Sequence, residues 1–289
     1  MSIDYLGSHT IRNQQFVDLN APALPQGNLA SVSLQDRRRF PLWGQWLTWV
    51  NWGYSNYNSG TITLRNREWH GLTLMSSFMW AKNLSSSISP IANDRNNFDY
   101  RQWDLWRGKA ALTPDFRFVS AWSYRLPFGK GLKYDMTGVR NAVLGGWTLS
   151  GITEFATGVP QTVQDLDNSG TGNGNQHSDR IAGCDSNAAP KDRFQWFNTS
   201  CFVAPAFGTW GNSGQGIIND PGINSWNTTL AKSFKLREEH RLEFRLETYN
   251  TFNHTQFQGA NYSRNNANFG RLTAARAARQ VQVTLFYRF

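Results

Sequence analysis

An all-β fold, an antiparallel transmembrane β-barrel wall of about eight strands with long extracellular loops, is what this sequence predicts. Three observations predict it. Apolar and polar residues alternate with period two in segments of about ten residues, the length of a tilted membrane-spanning strand. Aromatics make up 14% of the 289 residues, with 13 Trp, although only 39% are hydrophobic and mean hydropathy is -0.53. Such amphipathic rings suit the two girdles where a barrel meets the membrane–water interfaces. Short and long connections also tend to alternate, as they do when turns face one side of a membrane and loops the other.

Segment 1–11 and a long segment near 45–66 open the series, with a loop at 13–42 between them. A short turn at Glu68-Trp69-His70-Gly71 leads into 72–84, where Leu72, Leu74, Phe78 and Trp80 share one parity. After a polar stretch at 85–114 the alternation is clearest. Phe116, Phe118, Trp122, Tyr124, Leu126 and Phe128 oppose Asp115, Arg117, Ser123 and Arg125. A medium link at 127–145 stands where a short turn is expected, and 147–155 follows with Trp147, Leu149 and Phe155 on one face. Residues 158–221 are rich in Gly, Asn, Asp and Ser, a composition expected to bury no core of its own.

The next strand, 226–236, carries Trp226, Leu230 and Phe234, with Lys232 on their parity. A lysine at mid-bilayer costs roughly 2–4 kcal/mol but only about 0–1 near an interface, so Lys232 is expected to snorkel from beside the turn at Lys235–Glu239. Segment 240–252 sets Leu242, Phe244, Leu246 and Phe252 against Arg241, Glu243, Arg245 and Glu247. A last long loop, 253–278, precedes a strand with Val281, Val283, Leu285, Tyr287 and Phe289 opposite Gln280, Gln282, Thr284 and Arg288. Counted back from Phe289, the short turns and the medium link fall on one end and the long loops on the other. A water-facing sandwich has no reason to do that.

The net charge of +9 and pI near 9.8 raise nucleic acid as a partner. The basic residues are scattered, and Arg37-Arg38-Arg39 reads as a solvated loop run, so no nucleic-acid partner is expected. Cys184 and Cys201 share one polar loop without metal-ligand spacing; they either close a loop disulfide or remain two free thiols. No run of residues is long and apolar enough for a spanning helix, and no leader pattern stands at the start.

No catalytic arrangement emerges, and neither an enzyme activity nor a cofactor is expected. Gly211-Asn212-Ser213-Gly214-Gln215 lacks the closing glycine of a nucleophile elbow. Gly170, Gly172 and Gly174 have no strand–turn–helix around them. His177 near Asp179 is a candidate metal contact or, more plainly, part of a solvated loop. Arg241, Glu243, Arg245 and Glu247 are the one functional constellation: if their apolar neighbours face lipid, the four charges line the lumen. Trp103, Trp106, Trp196 and Trp210 either stack on a solute or pack their own loops.

From about residue 53 onward the chain resembles the barrel of TonB-dependent receptors, in the Oar-like branch with a carboxypeptidase-regulatory-like domain. The resemblance rests on Gly53-Tyr54-Ser55-Asn56-Tyr57-Asn58, Trp69-His70-Gly71-Leu72-Thr73, Leu126-Pro127-Phe128-Gly129 and Gly145-Gly146-Trp147-Thr148-Leu149-Ser150-Gly151. It continues through Thr157-Gly158-Val159-Pro160, Phe207-Gly208-Thr209-Trp210-Gly211-Asn212, Pro221-Gly222, Glu243-Phe244-Arg245-Leu246-Glu247 and Phe252-Asn253-His254. Leu285, Tyr287 and Phe289 resemble the terminal aromatic signal read by the barrel-assembly machinery. The resemblance implies a barrel of about 22 strands with a plugged lumen. It also implies a TonB partner and a plug domain held by the lumenal charges, an outer-membrane lipid surround in a Gram-negative bacterium, and uptake of a solute whose identity the loops do not disclose. On this reading residues 1–289 are a C-terminal piece of that barrel, without plug or signal peptide. Two alternatives stand beside it: a self-contained eight-stranded outer-membrane barrel for adhesion or structure, and a soluble carbohydrate-binding β-sandwich.

Overall fold

The computed structural model describes residues 1–86, 99–102, 104–172, 174, 176–236 and 239–289. Eight long strands run in chain order through one antiparallel sheet: β1 (Ser2–Asp18), β2 (Leu47–Trp69), β3 (Leu72–Ser85), β4 (Phe116–Arg125), β5 (Trp147–Ala156), β6 (Ile223–Lys235), β7 (Arg241–Tyr249) and β8 (Gln280–Arg288). A two-residue strand, Gly108–Lys109, adds to the outer end of β3. Every neighbour in space is a neighbour in sequence, the meander expected of a barrel wall. The two outermost strands, β1 and β8, do not pair with each other, so the sheet is an open wall.

The register carries the alternation across the whole sheet. Leu149 stands opposite Leu230, Leu230 opposite Leu246, and Leu246 opposite Val283. One face is therefore apolar from strand to strand. Its rings meet in pairs, such as Phe118–Phe155 at 6.1 Å and Trp147–Phe244 at 5.9 Å. Among the described residues no second sheet packs on it: Trp80 is 54% exposed and Leu285 60%. That bare surface removes the sandwich alternative.

The first strand runs past its expected end. The loop anticipated at 13–42 begins after Asp18, because β1 continues through two register irregularities between Ile11 and Gln15. Each shifts the side-chain parity and hides the alternation in the sequence. The medium link at 127–145 holds a seven-residue helix, α1 (Gly138–Leu144). Among the described residues no helix is long and apolar enough to cross a membrane.

The long loops correct a second expectation. Val163, Phe197, Cys201, Phe202 and Ile218 of segment 158–221 are buried in one cluster with Ala260 and Leu272 of the last loop. Two polar segments, neither apolar enough by itself, thus share a core at the outer end of the wall. The loop after β1 joins this cap: Gln26 Nε2 donates to the Gly208 carbonyl at 2.7 Å, and Arg37 to that of Gly170 at 2.7 Å. Arg37 and Arg38 are buried, not solvated as the basic run suggested. The Arg38 guanidinium donates to Asp18 at 3.0 Å, an ion pair shielded from water on both sides. Backbone carbonyls and one carboxylate accept from these cations in place of solvent, with Arg38 Nε left without a partner among the described residues.

Candidate functional site

The face opposite the apolar wall is polar and charged, and the four charged residues of β7 lie on it. Glu243 accepts from Arg245 on its own strand at 2.6 Å and forms an ion pair with Arg288 of β8 at 3.2 Å. Arg241 stands opposite Arg288 in the register, so two cations share the end of β7 and β8. Glu247 makes no ion pair among the described residues and borders a hollow of about 520 Å³, also lined by Tyr249, Asn227, Thr229, Ser150 and Ser123. A second hollow of about 500 Å³ lies nearer the cap. There Arg117 of β4 donates to Glu154 of β5 at 2.9 Å, and Tyr57, Asp220, Gln258 and Arg276 are among the other lining residues.

The cap is held by polar contacts as well as by its core. Cys184 and Cys201 form a disulfide, with Cα atoms 5.5 Å apart. Asp165 is fully buried against the Arg264 guanidinium. The Tyr262 hydroxyl donates to Asp220, and burial followed by that carboxylate raises its pKa. His177 is also buried, with its ring 4.4 Å from Trp106 and its Nδ1 hydrogen-bonded to the Ser213 carbonyl. It is thus neither a solvated loop residue nor a metal contact in company with Asp179, whose carboxylate accepts from the Asn212 amide at 2.9 Å. Burial lowers the His177 pKa to about 4, against a smaller opposing effect of the Ser213 carbonyl. Among the described residues no group of acidic, His or Cys side chains is arranged to hold a metal.

The glycine-rich stretch serves the cap too: Gly172 donates its amide to Asp167 at 2.6 Å, and Gly170 and Gly172 adopt positive φ. Trp106 and Trp196 pack within the loops, Trp196 donating to the Asn219 carbonyl at 2.7 Å; Trp210 lies against Arg101. Trp103 lies outside the described residues.

On the edge strand β8, Leu285 and Tyr287 project from the apolar face, followed by Phe289 beyond the strand end, 89% exposed. The Tyr287 hydroxyl meets His240 Nδ1 at 2.7 Å across the turn. Sequence reading missed Phe286 on the polar face, where the Arg245 guanidinium lies over its ring at 5.3 Å. A period-two count gives an aromatic of that parity no role, and only the contact with Arg245 supplies one. Lys232 also departs from expectation. It is 6% exposed, and its ammonium donates to the Ala142 and Val143 carbonyls of α1, so protein rather than interfacial water receives the charge.

One-sided apolar exposure, a charged opposite face and turns gathered at one end are the geometry of a barrel wall in lipid. A family model described as an outer membrane beta barrel domain matches residues 1–282. The chain belongs to that family. This outer-membrane β-barrel domain therefore lies in the outer membrane, its apolar face against lipid. No curated protein matches it. Among solved structures it is similar to the outer membrane transporter YddB from Escherichia coli, at 8% identity and a TM-score of 0.45, over 99% of this chain and 30% of that one. The chain thus spans less than a third of that structure's length.

Proposed function

We propose that this domain is a C-terminal segment of a TonB-dependent outer-membrane receptor barrel, Oar-like in type, that passes a solute inward and catalyses no reaction. The charged wall opposite the lipid face carries the reading. Arg241, Glu243, Arg245 and Glu247 line the lumen and hold a plug domain by ion pairing until energy from the TonB complex releases it. Further strands complete the wall beyond the unpaired edges of β1 and β8, and the barrel-assembly machinery receives Leu285, Tyr287 and Phe289 at that terminal edge. The folded cap above the second hollow supports a selective outer mouth, where a siderophore, glycan or similar solute first meets the protein. A self-contained eight-stranded barrel would need β1 paired with β8, and the register leaves both edges free.

Uptake in the native bacterium tests the proposal. Labelled ferric siderophores and oligosaccharides are offered to wild-type cells, to cells lacking this gene and to cells lacking TonB. Accumulation of one solute is expected to fall to background in both deletions. Accumulation that depends on the gene but survives loss of TonB would overturn the TonB-dependent part of the proposal.

A further inference from the structure

The link between β4 and β5 is longer than a turn needs, and its helix lies in a telling place. Lys232 and Trp147 belong to the lipid-facing parity of β6 and β5, paired in the register. The Lys232 ammonium donates to the Ala142 and Val143 carbonyls, and the Trp147 indole N–H to that of Val143 at 2.9 Å. Side chains on the outer face of a wall reach these carbonyls only if the end of α1 sits outside the wall, at the rim where the short turns gather. In outer-membrane barrels that rim is periplasmic.

The helix is tethered on one side and bare on the other. Asn141 turns toward the link, its Oδ1 accepting from the Lys130 amide at 3.0 Å. Val139 and Val143 are four residues apart and flank the direction opposite Asn141 on the helix circle. They are 79% and 59% exposed, and Leu144, next in sequence to Val143 at the helix end, is 51% exposed. The same link carries Lys130, Lys133 and Arg140 against a single acid, Asp135. Apolar residues bare to solvent, continuous with a lipid-facing wall and attended by surplus positive charge, are the signature of a helix lying in a membrane interface.

We propose that α1 is an interfacial anchor: Val139, Val143 and Leu144 enter the acyl boundary of the periplasmic leaflet, and Lys130, Lys133 and Arg140 meet the phosphates of its phospholipids. Lys232 is the internal clasp that holds the anchor to the wall. The occupant of this face is phospholipid, because the face continues the lipid-exposed wall and its cations match phosphate.

The full chain, refolded into vesicles of phosphatidylethanolamine and phosphatidylglycerol, provides the test. Single nitroxide labels go on Val139→Cys, Val143→Cys and, as an aqueous reference in the cap, Ala189→Cys. Collision with dissolved oxygen is compared with collision with a water-soluble nickel chelate. The oxygen-to-nickel ratio is expected to be several-fold higher at 139 and 143 than at 189. Replacing phosphatidylglycerol with phosphatidylcholine, or making Arg140→Glu with Lys133→Glu, is expected to lower that ratio while the β-sheet circular dichroism stays unchanged. Ratios at 139 and 143 equal to that at 189 in a folded chain overturn the proposal. So does nickel shielding that rises with protein concentration, which assigns the face to a second copy.

Discussion

At the scale of single residues, the buried polar groups of the cap separate what sequence reveals from what it hides. The composition of 158–221 predicts no core of its own, and within it His177 reads as a metal contact or a solvated loop residue. The ring is instead enclosed against Trp106, with Nε2 lacking a hydrogen-bond partner among the described residues. Nothing local to His177 announces this, because Trp106 and Ser213 arrive from distant parts of the chain. A consequence follows for acid stability. The folded pKa, about 4, lies below the unfolded value of 6.5, so the unfolded cap takes up a proton first as pH falls. The stability owed to neutral His177 is complete above pH 6.5 and is lost as pH falls toward 4. It amounts to roughly 3 kcal/mol at about 1.4 kcal/mol per pH unit. Protection factors of the cap amides, corrected for the pH dependence of intrinsic exchange, are expected to fall through that window, and His177→Gln should abolish the step. An unchanged pH profile in the variant would show that another group governs it.

At the scale of elements, β3 to β8 are legible because each carries its own alternating pattern, and pattern needs no distant partner, whereas the register irregularities of β1 hide its alternation and its end. The charges of β7 were likewise assigned to one face by parity alone, whereas the counter-ion Arg288 was a matter of register with β8. Loops are different. The cap core draws Phe197 and Phe202 from one loop and Ala260 and Leu272 from another, so no single window looks able to fold. The disulfide lies in the first of these loops and closes a segment with a sequence separation of 17. Removing a loop closure of that size costs about 3 kcal/mol in the chain-entropy account. Cys184→Ser with Cys201→Ser is therefore expected to open the cap and leave the wall intact. Limited proteolysis of the folded chain in detergent should cut faster within 181–203 in the double variant, with the long strands still protected. Equal cleavage rates would mean that the shared core alone holds the cap.

At the scale of the whole molecule, everything depends on which face of the wall meets hydrocarbon. The row Leu149–Leu230–Leu246–Val283 crosses four strands on the apolar face. Thr229 and Glu247 stand side by side on the other face, at nearly the same height. Depth is thus almost matched between neighbouring positions and only the face differs. Arginine at Leu246 would place a cation deep in lipid, at a cost of roughly 2–4 kcal/mol, whereas arginine at Thr229 would enter the aqueous hollow beside a carboxylate. Folding yields in lipid vesicles, read from the heat-sensitive gel mobility of folded barrels, should therefore fall sharply for Leu246→Arg and hardly change for Thr229→Arg. Cost cannot fall on the same side for both orientations of the wall, since one substitution buries a charge in hydrocarbon whichever face is outermost. A lower yield for Thr229→Arg would therefore turn the wall inside out and put the four charges of β7, proposed above to line the lumen, against lipid.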